Sequence, residues 1–115
     1  MQRLVLATAL LVASVASVAS QSAERPLVVP TDAKANYTIL EISGQWPNRT
    51  IVTKRVGSSG TSYSKRIYNC SNSTVKYLGT GDTLADMARS KPDPRMAPVV
   101  SQSIADYVGR QACKR

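Results

Sequence analysis

Residues 50–70, read as TIVTKRV (50–56), GSSGT (57–61) and SYSKRIYNC (62–70), decide the fold. Two runs rich in β-branched and aromatic residues flank a segment whose glycines, Gly57 and Gly60, tolerate the positive φ of a tight reversal. The pattern predicts a β-hairpin. Upstream, Ala35–Ser43 (ANYTILEIS) has the same composition with partial alternation and reads as a strand, closed by a break at Gly44-Gln45-Trp46-Pro47-Asn48. Downstream, a turn at Ser71-Asn72-Ser73 leads into a fourth strand, Thr74–Gly79 (TVKYLG). Short polar turns between such runs favour an antiparallel meander over crossover connections.

The character of the chain then changes. Gly81-Asp82-Thr83 precedes LADMARS, where Leu84, Met87 and Ala88 fall at i, i+3 and i+4, and Thr83 with Asp86 has the spacing of a helix cap. Pro92, Pro94 and Pro98 end that helix and forbid another immediately. Ser103 with Asp106 repeats the cap pattern. Ile104, Tyr107, Val108 and Ala112 then line one face of a last helix, Asp106 and Arg110 form a favourable i, i+4 pair, and Gly109 weakens the element. Strand signals followed by helix signals spell an α+β class: a small meander of about four strands with two short C-terminal helices.

At 115 residues the chain holds one domain. The opening MQRLVLATALLVASVASVAS has one early cation, Arg3, an uncharged stretch from Leu4 to about Val18, and small residues at its exit. This is the layout of a secretory signal over residues 1–20, shorter than the ~20 apolar residues that span a bilayer. Residues 21–34, with Pro26 and Pro30, read as a flexible lead-in, and 35–115 as the folded domain without a transmembrane helix. The expected location is outside the cytosol: periplasm, cell surface or medium.

Export gives the only two cysteines, Cys70 and Cys113, an oxidising compartment, and the pair can make one intramolecular bridge. Closing a loop of that length is worth about 4 kcal/mol in chain entropy, a large share of what holds a small domain together. A redox or nucleophilic role lacks both a CxxC spacing and a histidine partner.

Fifteen Lys and Arg against seven Asp and Glu give a net charge of +8, and there is no histidine. That absence removes Ser-His-Asp catalysis and histidine-ligated metal sites together. No two acids share a spacing that pairs them for acid–base work, and GTGDT lacks the lysine and spacing of a phosphate loop. Neither an enzyme nor a cofactor is expected. The four Asn-x-Ser/Thr triplets, at Asn36, Asn48, Asn69 and Asn72, matter only in a glycosylating secretory route.

The most distinctive feature is the pair of doublets Lys54-Arg55 and Lys65-Arg66 on the two hairpin strands. A reversal centred on Gly60 sets Lys54 opposite Arg66 and Arg55 opposite Lys65, where like charges repel. Such clustering makes sense against an anionic partner: lipid phosphates, a sulfated polysaccharide or an acidic protein, with nucleic acid the least expected. The plainer reading, which these residues favour, is solubilising charge that blunts a sheet edge. Tyr63, Tyr68 and Tyr77 interleave with the cations and suit cross-strand packing better than stacking on a ligand. Trp46, beside Pro47, is a lid over the core edge or an exposed anchor.

The strand ending YNC (68–70), the following TVKYLGTGDT (74–83) with its Met-bearing helix, and a C-terminal segment ending AC (112–113) resemble a group of small exported proteobacterial proteins. More loosely, the stretch Ala35–Cys113 is similar to the surface-adhesin protein E family. The resemblance implies a non-enzymatic cell-envelope or secreted protein that attaches to host or matrix components. The resemblance assigns no binding residue to a position in this chain. The function expected is that of an exported, adhesin-like binding protein whose basic hairpin contacts an anionic partner. The alternative is a periplasmic inhibitor or accessory subunit of an envelope enzyme, although inhibiting a basic lysozyme would favour an acidic chain.

Overall fold

Asn48–Gly57 (β3) and Gly60–Asn69 (β4), ten residues each, form the central hairpin. The computed structural model of the chain describes residues 7–12 and 24–115, so most of the 1–20 signal reading lies outside the described residues. Around the hairpin, Arg25–Leu27 (β1), Asn36–Ser43 (β2), Thr74–Gly81 (β5) and Ala97–Pro98 (β6) complete an antiparallel sheet in the order β1-β2-β3-β4-β5-β6. Helix α1, Leu84–Arg89, follows β5, and α2, Ile104–Ala112, closes the fold. The α+β meander, its two helices and the Cys70–Cys113 bridge are as expected. The sheet has six strands rather than four. Both additions are edge pieces of two or three residues that carry a proline, Pro26 and Pro98, where a missing N–H is tolerated and the strand pattern is too short to read. Thus part of the 21–34 lead-in is strand β1, followed by a 3-10 turn at Pro30–Asp32.

The hairpin register corrects the sequence reading. Gly57 pairs with Gly60 across Ser58-Ser59, so Lys54 faces Tyr63 and Arg55 faces Ser62, while Arg66 faces Ile51 and Lys65 faces Val52. Gly60, at φ +116°, ends the reversal instead of centring it. The displacement is an odd number of residues in pairing sum, and with a side-chain period of two it regroups the four cations by face.

Two bulges set which side chains share those faces. Leu40 is the extra residue between Ile39, opposite Thr53, and Glu41, opposite Val52. Ile39 and Ile42, three apart, thereby reach the same face. Leu78 is extra between Tyr77, opposite Arg66, and Gly79, opposite Lys65. Tyr77 thus falls on the side of Arg66, whereas Gly79 and Gly81 fall on the side of Lys65. There α1 packs so closely, through the backbone at Met87, that neither glycine has room for a Cβ. The GTGDT stretch is a seat for a helix.

The core lies under α2. Ile39, Ile51 and Tyr68 of the sheet meet Val108 and Ala112 of the helix. Both helices carry the expected caps: Thr83 Oγ1 accepts from the Asp86 amide at 3.0 Å, and Ser103 Oγ from the Asp106 amide at 3.1 Å. Asp106 and Arg110 form the expected ion pair at 2.9 Å, and Asp106 also accepts from the Gln102 amide. At the other end, Arg49 Nε donates to the Ala112 carbonyl at 3.0 Å, satisfying one of the acceptors a helix end leaves open.

Tyr68, 2 % exposed, runs beneath α2 and donates its hydroxyl to the Ala105 carbonyl at 2.6 Å. A Cβ on Gly109 would stand 2.5 Å from the Tyr68 ring, so this glycine, a weakness by propensity, is the groove that admits the ring. The bridge from Cys70, just past β4, to Cys113, the residue capping α2, spans 43 positions and fixes the helix beside that contact.

Gly109→Ala should therefore destabilise the protein by about 1–3 kcal/mol, an overpacking cost, in spite of the better helix propensity of alanine. Thermal denaturation followed by circular dichroism should show the midpoint falling by about 5–15 °C. Unchanged or higher stability would place the ring elsewhere. Reducing the bridge should lower stability by up to about 4 kcal/mol in denaturant titrations.

Candidate anion-binding surface

The four cations singled out by sequence divide between the two faces of the sheet. Arg55 and Arg66 project on the α2 side, with Arg49; Lys54 and Lys65 project on the other. They do not converge on one surface.

Arg55 is committed within the fold. Its Nε donates to Asp32 Oδ2 at 2.8 Å and its Nη2 to Oδ1 at 3.2 Å, a two-pronged pair that ties the 3-10 turn to β3. Tyr37, buried on β2 opposite Arg55, donates its hydroxyl to the same Oδ2 at 2.6 Å. The Arg55 hydrogen bond, then that of Tyr37, holds the Asp32 carboxyl below the usual carboxylate range. Burial, followed by its bond to Asp32, pushes the Tyr37 phenol up to about 12. The Asp32 hydrogen bond raises the Arg55 guanidinium further above its ordinary value.

Arg66 is only 4 % exposed. Its Nη1 donates to Thr53 Oγ1 at 3.2 Å and its Nη2 to the Tyr77 hydroxyl at 3.0 Å, and the Tyr77 ring centroid lies 4.7 Å from the guanidinium carbon. Its Nε has no hydrogen-bond partner among the described residues.

The opposite face carries Lys54 and Lys65, and a third lysine that sequence reasoning missed. Lys76 on β5 stands opposite Ile67, two positions along β4 from Lys65, on the same side. Lys54 faces Tyr63, again two positions from Lys65. The three form a diagonal across β3, β4 and β5, with successive Cα atoms about 8 Å apart from strand spacing and rise. All three are half-buried, and none has a carboxylate partner among the described ion pairs. The 11-residue spacing of 54, 65 and 76 was visible in the sequence; only the register and the Leu78 bulge turn it into a shared face. Around the diagonal stand Tyr63, Val52 and Ile67. Tyr68 is core and Tyr77 covers Arg66, so Tyr63 alone of the three tyrosines accompanies the lysines. Trp46, 40 % exposed, stacks beneath Arg115 at the β2–β3 turn.

Among the described residues, no helix is long and apolar enough to cross a membrane, and no cluster of three His, Cys, Asp or Glu could hold a metal ion. No family model, curated protein or solved structure matches the chain.

The Asp32 and Asp106 ion pairs carry an acid signature. Arg110, and then the Gln102 amide, holds the Asp106 carboxyl low. A carboxyl whose folded value lies below its unfolded value of about 3.9 adds stability above that pH, and the addition is lost as pH falls through the folded value. Wild-type stability should therefore drop below about pH 4. Asp32→Asn with Asp106→Asn should be weaker at neutral pH and flatter on the acid side in urea titrations from pH 2 to 7; parallel profiles would remove these pairs as the source.

Proposed function

We propose that this chain is an exported, non-enzymatic binding protein of the cell envelope or cell surface, adhesin-like in action, and that it holds an anionic polysaccharide on its lysine face. The observation that carries this reading is the diagonal Lys54, Lys65 and Lys76: three cations on one face, without carboxylate partners among the described ion pairs, in a chain of net charge +8. No lysine of the diagonal stands directly opposite another cation, and a linear polyanion lying obliquely across the strands would meet each ammonium in turn. Half-buried stems keep the ammonium groups close to the sheet, and Tyr63 offers a flat surface for a sugar ring beside Lys54.

Export is supported by the signal-like residues 1–20 and by a disulfide that an oxidising compartment would maintain. The non-enzymatic reading is supported by the acids themselves: Asp32 and Asp106 are tied to arginines with their carboxyls held low, which suits neither for proton transfer near neutral pH.

The test is chromatography on heparin and on a sulfonate exchanger with two triple variants of equal charge change. Lys54→Ala with Lys65→Ala and Lys76→Ala should elute from heparin at much lower salt than Lys34→Ala with Lys91→Ala and Arg95→Ala, three exposed cations elsewhere. On the sulfonate resin the two should shift alike. Equal shifts on heparin would reduce the lysine face to general surface charge.

A further inference from the structure

We propose that Arg66, Thr53 and Tyr77 form a one-anion site on the α2 side of the sheet, and that it takes a carboxylate group. This site is separate from the lysine face and does not depend on it.

Arg66 lies on β4, in the middle of the sheet, and is almost entirely buried, as is Thr53. A guanidinium does not shed its proton in a protein, so burial cannot be relieved by neutralisation as it can for lysine or a carboxyl. An enclosed charge is normally paired. Here the carboxylates bonded to the surrounding elements are committed to other groups. Asp32 is held by Arg55 and Tyr37, and Asp106 by Arg110 and the Gln102 amide. Asp93 accepts from the Tyr77 backbone amide at 3.3 Å. Arg66 is left with two neutral hydroxyls and an Nε–H that is buried and has no acceptor among the described residues.

Its surroundings specify the kind of ligand it would take. There is one fixed positive charge, so one negative charge balances it. The planar Nε–Nη edge of a guanidinium matches the two oxygens of a carboxylate. The Thr53 and Tyr77 hydroxyls accept from Arg66, and each keeps its own hydrogen for donation. Tyr77, 39 % exposed, is the member of the cluster that reaches solvent, and a carboxylate would enter beside its ring.

The probe is sodium acetate at neutral pH. In proton–nitrogen spectra that resolve arginine side chains, the Arg66 Nε–H of the unmodified protein should move downfield and saturate with acetate. At ten times the dissociation constant the melting temperature should rise on the order of 5 °C. Arg66→Met, close in shape and uncharged, should abolish that rise. A parallel titration with a blocked aspartyl peptide separates the two sources of the group: a response to acetate alone limits the site to free acids, and a response to both extends it to acidic side chains. An Nε–H indifferent to both, or an equal acetate response in Arg66→Met, overturns the proposal. Should Arg66→Met fail to fold, the titration of the unmodified protein decides alone.

Discussion

The structure depends on Tyr68 lying under α2. A nine-residue helix interrupted by glycine has little stability of its own, because nucleation is unfavourable and most helix stability in proteins comes from packing. The Tyr68 ring supplies the packing surface, its hydroxyl takes up the Ala105 carbonyl, and Gly109 removes the side chain that would hold the helix away. Cys70, two residues beyond Tyr68, carries the covalent link to Cys113. The Arg49 bond to the Ala112 carbonyl closes the same end of the helix from the neighbouring strand. Contact, bridge and cap act on one element from one corner of the sheet, and without them that side of Ile39 and Ile51 would face water.

With α2 on one side, the sheet has two unlike faces, and its charged residues sort by chemistry. On β3, β4 and β5 the cations of the α2 side are Arg49, Arg55 and Arg66, whereas those of the other side are Lys54, Lys65 and Lys76. A guanidinium is weakly hydrated and makes directional bonds to carbonyls, carboxylates and hydroxyls, as all three arginines do. An ammonium is strongly hydrated and is best left at the end of a flexible stem near water. Exchanging the sets would place lysines where fixed forks are needed and arginines where none are.

Much of this architecture is legible in the sequence. Composition and turn residues marked the four long strands, the spacing of Thr83 with Asp86 and of Ser103 with Asp106 marked both helix starts, and two cysteines left one intramolecular pairing. What escaped were quantities of parity. Whether Gly60 centres or ends the reversal changes the pairing by an odd step, and composition is the same in either case. The bulges at Leu40 and Leu78 are likewise single residues whose only sign is that Ile39 and Ile42 stand an odd number apart and must nevertheless share a face. The edge strands escaped because two or three residues around a proline carry no period at all. Propensity alone makes Gly109 a defect; its use appears only when the partner ring is known.

Parity also explains why the cationic cluster seen in sequence is two arrangements in space. Had the hairpin closed on Gly60, each face would have held one lysine directly opposite one arginine, an adjacent like-charge pair with no room for separate roles. The observed register sets Tyr63 and Ser62 opposite Lys54 and Arg55, and Val52 and Ile51 opposite Lys65 and Arg66. Each doublet then sends its arginine inward and its lysine outward. The Leu78 bulge extends the same division into β5, where Tyr77 goes to Arg66 and Lys76 to the lysines. One turn geometry and one inserted residue thereby convert a locally repulsive sequence into a buried guanidinium on one face and a row of half-buried lysines on the other.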